Sequence, residues 1–244
     1  MMSEDVYRQL AQRLDAIPNG FTATESGSEL RLLAKMFTPE EAALAAVMRL
    51  TREPADDIAA RAGMDAKEAS HILKGMVRKG LILAGRGEKQ LIFGLMPFAV
   101  GIYEEQLPRM DVEMAALFEQ YYQEVRGGGT VRNAPPINRV IPVEEAIPFS
   151  LEIFPYERAS EIIASAKSWG VRDCLCRIQQ RLVGKGCDRP IQNCLVFAPV
   201  ENAFNLSAVT RPISKEEAFR ILREAEEAGL VHSTGNYRDQ LYYI

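Results

Sequence analysis

Apolar positions recur along most of this chain at helical spacing. Val6, Leu10 and Leu14 line one face of residues 3–16, the repeat of an amphipathic helix, and Pro18-Asn19-Gly20 supplies the turn that ends it. A Ser/Gly-containing turn over 25–28 leads to a second short helix with Leu30, Leu33 and Phe37 inward. Thr38-Pro39-Glu40-Glu41 is a helix start, with Thr38 as cap, Pro39 at the first helical position and Glu41 reaching back. That helix is expected to run to about Leu50. Another is expected from Pro54 to Gly63, where glycine can take the left-handed conformation that stops a helix. Asp65 can cap a third, with Ala69, Ile72, Leu73, Met76 and Val77 as its apolar stripe and Gly80 as its end.

The period then changes. Residues 81–84 and 90–93 read as two strands around a turn over 85–89. Helix, helix, tight turn, helix and β-hairpin is the order of a winged helix-turn-helix. It is assigned to residues 37–107, after a helical extension over 1–36. A helix over 111–125, then Gly127-Gly128-Gly129 and Ala134-Pro135-Pro136, make residues 108–136 a connecting helix and Gly/Pro linker, with the boundary between Arg126 and Pro136.

Residues 137–244 form the second domain. Its opening stretch, 138–149, reads as extended and is interrupted by Pro142 and Pro148. A helix carrying Ala159, Ile162, Ile163 and Ala166 is expected to stop at Gly170, with the cysteine segment directly after it. Ser214-Lys215-Glu216-Glu217 reads as a capping box for a helix with Ala218, Ile221, Leu222 and Ala225 on one face, ended by Gly229. Residues 230–232 and 240–244 look like short strands joined around Gly235-Asn236. The fold class is α+β and mostly helical: an N-terminal winged helix-turn-helix plus a small C-terminal cysteine-containing α/β domain.

With 244 residues and 47% hydrophobic side chains the chain has ample core. Its net charge of −4 argues against a protein that coats nucleic acid wholesale, but not against a local basic face. No apolar run reaches membrane-spanning length, and no secretory signal opens the sequence, so a cytoplasmic protein that does not enter a membrane is expected.

The concentrated chemistry is thiol chemistry. All four cysteines, Cys174, Cys176, Cys187 and Cys194, fall in one short segment. Disulfides are rare in the cytoplasm, so the cluster reads as a ligand set whose thiolates aim at one inorganic centre. Zinc usually takes two Cys-x2-4-Cys knuckles, and neither pair here has that spacing. An iron–sulfur cluster tolerates wider loops and gains from backbone N–H donors and nearby cations. Gly184 and Gly186 would let the backbone approach, and Arg177, Lys185 and Arg189 would offset negative charge. The bland alternative is four small buried residues in a reducing compartment.

The motifs Cys174-Leu-Cys-Arg, Gly184-Lys-Gly-Cys-Asp-Arg-Pro and Cys194-Leu are followed by Ile213-Ser-Lys-Glu-Glu-Ala and Glu226-Glu-Ala-Gly-Leu-Val-His. Together they resemble a 4Fe-4S-binding, ferredoxin-type family of anaerobic bacteria and archaea. The front half, from Leu14-Asp through Pro18-Asn-Gly-Phe to Phe37-Thr-Pro-Glu-Glu-Ala-Ala-Leu-Ala, resembles it too. The resemblance implies a [4Fe–4S] cluster and electron transfer, with a redox protein as partner. Family members continue beyond the position of Ile244 into a ferredoxin module; this sequence stops before it, so one cluster site is expected. Zinc is the alternative metal, in a zinc-stabilised interaction module.

A second functional candidate lies in the front half. Lys67, His71, Lys74 and Arg78 recur along one side of the third helix, and Arg86 and Lys89 sit at the hairpin tip. That is the electrostatic footprint of a duplex binder and suits a redox- or metal-responsive DNA-binding regulator. Its structural alternative is a solvated basic face. His232 reads as a structural or surface residue, and Trp169 as packing over the site. No catalytic constellation is visible, so a redox role would be that of an electron carrier. Candidate partners are a redox protein, duplex DNA and a second copy of the chain.

Overall fold

The computed structural model describes residues 2–17, 20–49, 51–125, 138–140, 159–235 and 242–243. The chain divides into two compact units, Met1–Ala134 and Pro135–Ile244. The turn residues Pro18 and Asn19, the linker expected at 126–136, most of the stretch at 138–149 and Asn236 lie outside the described residues. Both units mix helices with antiparallel sheet, so the fold is α+β and mostly helical.

In the first unit α1 (Met2–Asp15) buries Tyr7, Leu10, Ala11 and Leu14 and packs on α3 (Pro39–Ala46). Between them α2 (Ser28–Met36) buries Leu30, Leu32 and Leu33. The capping box at α3 forms as expected. Thr38 accepts from the Glu41 N–H, and the Glu41 carboxylate accepts from the Thr38 N–H at 3.0 Å. The helix stops at Ala46, short of the expected Leu50. Two arginines capture the carbonyls there: Arg13 donates to Met48 O at 2.8 Å and Arg61 to Val47 O at 3.0 Å, so the backbone can leave the helix with its acceptors satisfied.

Strand β1 (Glu53–Pro54) was not expected; it precedes α4 (Ala55–Ala62), which ends at Gly63 with φ +65. Asp65 caps α5 (Ala66–Arg78) by accepting from the N–H groups of Lys67 and Glu68, and Ala69, Leu73 and Met76 fill its buried stripe. The hairpin of β2 (Ile82–Arg86) and β3 (Leu91–Leu95) completes a three-stranded sheet in the order β1-β3-β2. This is the winged helix-turn-helix order. After an irregular stretch, α6 (Val112–Val125) packs on α2. Tyr103 stacks on Phe118 with ring centroids 3.7 Å apart, and Phe21 lies 4.4 Å from Phe98.

The second unit pairs β4 (Asn138–Val140) with β8 (Ser233–Gly235) and forms a separate four-stranded antiparallel sheet. Its order is β7 (Arg211–Ile213), β5 (Ser168–Asp173), β6 (Gln192–Ala198), β9 (Tyr242–Tyr243). Helices α7 (Ala159–Ser165) and α9 (Lys215–Glu227) join the core of Ile162, Ile163, Val171, Leu195, Phe197, Ala218 and Ile221. Three expectations need correction. Gly170 does not stop a helix but sits inside β5, where an added Cβ would lie 2.3 Å from Thr210 Cγ2. The glycine admits a crossing chain. The cysteine segment does not follow α7 directly, because β5 intervenes and the segment itself contains α8 (Leu175–Leu182). At α9 only half of the capping box forms: Ser214 accepts from the Glu217 N–H, while the Glu217 carboxylate pairs with Arg211 at 2.9 Å.

Candidate metal centre

The cysteine segment is placed by the β5–β6 pair. These strands run antiparallel with Arg172 opposite Cys194, and the register shifts between Arg172 and Asp173. A bulge of this kind bends its strand and re-aims the next side chains. Cys174 lies immediately beyond the bulge and is the N-cap of α8. Its backbone N–H donates to Ile191 O at 2.8 Å, which ties the helix start to the chain entering β6. Cys194 is reached from the other side, on β6 itself.

A helix N-terminus presents unpaired N–H groups and favours negative charge. Cys174 shows the effect. Its thiol pKa is lowered to about 6, first by a hydrogen bond with the Cys176 side chain. The Arg177 N–H, the Arg177 guanidinium and the Cys176 N–H act in the same direction, and burial opposes them. A thiol so disposed is largely thiolate at neutral pH, the form that binds metals. Arg177 is held by donating to Asn193 Oδ1 at 2.9 Å, so its charge stays beside the thiolate.

Cys174 and Cys194 line one cleft of about 160 Å³ together with Arg177 and Asn193. Its apolar wall is Leu195, Leu222, Ala225, Leu230 and Val231, and His232 closes it. His232 is 6% exposed, and neither ring nitrogen has a hydrogen-bond partner. Burial holds its imidazole below the usual pKa, with the Glu226 charge opposing. His232 is buried, as the structural reading of it from sequence allows, and the fold sets it at the cysteine cleft. Its own neighbours carry no ligand signal, and only the return of the chain after α9 brings it to the cysteines.

The other expected residues divide. Cys176 touches Cys174 but is exposed, and Cys187 is exposed on the loop between α8 and β6. None of the four thiols is in a disulfide. Among the described residues no three His, Cys, Asp or Glu side chains are already gathered into a metal-binding group. Gly184 takes φ +75 just past α8 with open space around it, and Gly186 lies against Arg181, whose Cγ would be 2.5 Å from an added Cβ. Arg181 donates to Cys187 O at 3.1 Å. Arg189 donates to Ala228 O at the end of α9, and Lys185 donates its N–H to Gln180 O at 2.8 Å. Trp169 lies in β5, outside the lining of the cysteine cleft, and donates to Ile163 O at 2.8 Å.

In the first unit Lys67, His71, Lys74 and Arg78 are all exposed on α5, and Arg86 and Lys89 are exposed at the hairpin. The neighbouring Lys79 is engaged with Glu41 at 2.7 Å and stands apart from that face.

No family model, curated protein or solved structure matches this chain. No helix among the described residues is long and apolar enough to cross a membrane.

Proposed function

We propose that the second unit binds a [4Fe–4S] cluster and that the protein carries electrons, or presents the cluster, to a redox partner in the cytoplasm. The observation that carries this reading is the shared cleft of Cys174 and Cys194, with Cys176 against Cys174. When bound, the cluster would supply one-electron chemistry. The chain's own contribution is a lowered thiol pKa, the cationic Arg177 beside it, and an apolar wall that excludes water from one side, each of which tunes a cluster's potential. Spacing assigns the fourth ligand to Cys187.

Anaerobically purified protein is expected to be brown, to contain iron and acid-labile sulfide in equal amounts, and to bleach on reduction. Iron and sulfide at background after anaerobic assembly would sink the reading. One zinc and no iron in the same preparation would transfer the site to the zinc-stabilised interaction module.

The exposed basic row on α5 and the hairpin favours a second reading, in which the first unit binds duplex DNA and the metal centre regulates it. Binding should then weaken as salt rises, and K74A/R78A should flatten the salt dependence by about two units of slope. Salt-independent or undetectable binding in both oxidation states removes this reading.

A further inference from the structure

His232 is the most anomalous side chain of the second unit. It is nine-tenths buried and borders the same cleft as Cys174 and Cys194. Both of its ring nitrogens are enclosed and unpartnered. A neutral imidazole has one N–H donor and one lone pair, and leaving either buried without a partner is destabilising. A purely structural histidine would normally give its N–H to a carbonyl or carboxylate. The cleft it borders is lined by two thiols, the Asn193 amide, the Arg177 guanidinium and aliphatic carbons, and the Glu226 charge acts on the ring without bonding to either nitrogen. Arg177 can only donate. What the imidazole lacks is an electron-pair acceptor on one nitrogen and a hydrogen-bond acceptor on the other. An iron atom held by the cleft's thiolates would accept the lone pair of one nitrogen.

Cys187 stands in the opposite situation. It is exposed and does not line the cleft, and whereas the equally exposed Cys176 lies against Cys174, the Cys187 loop is held by Arg181 on its own carbonyl and by Arg189 on Ala228 O. We propose that His232, rather than Cys187, is the fourth protein ligand of the centre, completing a set with Cys174, Cys176 and Cys194. The proposal rests on the cluster reading above and changes one ligand of it. On assembly three thiols lose their protons to solvent. The imidazole binds through a lone pair it already has, keeps its other N–H, and changes neither the electron count nor the proton count. Replacing a thiolate with a neutral donor leaves the cluster one negative charge poorer, so its reduction potential should lie above that of a cluster with four thiolates.

The test uses the full chain labelled with 15N-histidine, loaded anaerobically with ferrous iron and sulfide, reduced, and examined by pulsed electron paramagnetic resonance. A directly coordinated histidine nitrogen should appear as a strong coupling. The chain has two histidines, and the other, His71, lies in the first unit. C187S should keep wild-type iron and sulfide content, whereas C174S and C194S should lose most of it. H232C should assemble the cluster without the nitrogen coupling and with a lower potential. A fully loaded wild-type cluster with no coupled nitrogen overturns the proposal, and that measurement needs no variant to fold. So does a C187S protein that loses its cluster while H232A keeps both content and potential. Failure of the underlying cluster reading looks different: wild-type protein then takes up no iron or sulfide, and no signal exists to interrogate.

Discussion

Cys174 gathers several small effects on one sulfur. A neighbouring thiol, two backbone N–H groups at a helix start and a guanidinium all favour its ionised form, and burial is too weak to reverse them. In metal-free protein its alkylation rate should therefore rise through about pH 6, well before that of an ordinary thiol. Because the Cys176 side chain is the largest contributor, C176A should move that midpoint upward. Mass-spectrometric rates across pH measure it, and an unchanged midpoint would show that the helix start alone sets the value. Glu124 is the corresponding carboxylate of the first unit. Hydrogen bonds from Ser28, Gln120 and Ser26 lower its pKa to about 2. A group depressed on folding adds stability that is complete above the unfolded pKa and is lost as pH falls through the folded one. Wild-type protein should thus exceed E124Q in stability at about pH 7, and the gap should shrink toward pH 2. The side chain is exposed, so the gap is small. Urea melts at several pH values read it. The Cys-x-Cys pair was legible as a ligand set because its spacing is local. The burial of His232 beside Cys174 and Cys194 was not legible, because it comes entirely from a cleft that the tertiary fold makes.

Among the elements, the amphipathic helices were the legible part. Their buried stripes and end signals, Thr38, Asp65 and Gly63, are written within a few residues of one another. The strands of the second unit were less so. Buried on one face and crossed on the other, β5 reads as a continuation of α7, and Gly170 within it looks like a helix stop. The structure gives that glycine a different task, since Thr210 Cγ2 and the Phe204 ring would lie 2.3 and 3.0 Å from a Cβ. Gly170→Ala must push both aside, and overpacking of this kind costs typically about 1–3 kcal/mol. A fall of several degrees in the melting temperature of the second unit is expected. No fall would mean that the 204–210 crossing is free to move away. Likewise α8 was hidden, because the cysteines and glycines around it suggested a loop. Yet Leu175, Ile178 and Leu182 recur along it at i, i+3 and i+7, an apolar stripe that the emphasis on the cysteines passed over.

On the scale of the whole molecule, the two units carry different chemistry: an exposed basic row in one, a thiol cleft in the other. Metal loading should accordingly act on the second unit. A ligand that binds only the folded state raises stability by mass action, by about 2.7 kcal/mol at a hundredfold excess over Kd. Cluster-loaded protein should melt above the metal-free form in calorimetry, and C174S should abolish the difference. An equal gain in C174S would place the metal elsewhere. The front half could be anticipated to the level of topology because a winged helix is assembled from neighbouring segments. The cleft could not, because its walls come from the start of α8, β6, α9 and the chain beyond α9. Arg189 gives that assembly a mechanical aspect. Its guanidinium buckles the Cys187 loop to the last carbonyls of α9, four residues before the imidazole that closes the cleft. The loop that carries Cys187 and the segment that carries His232 thus meet at the end of α9.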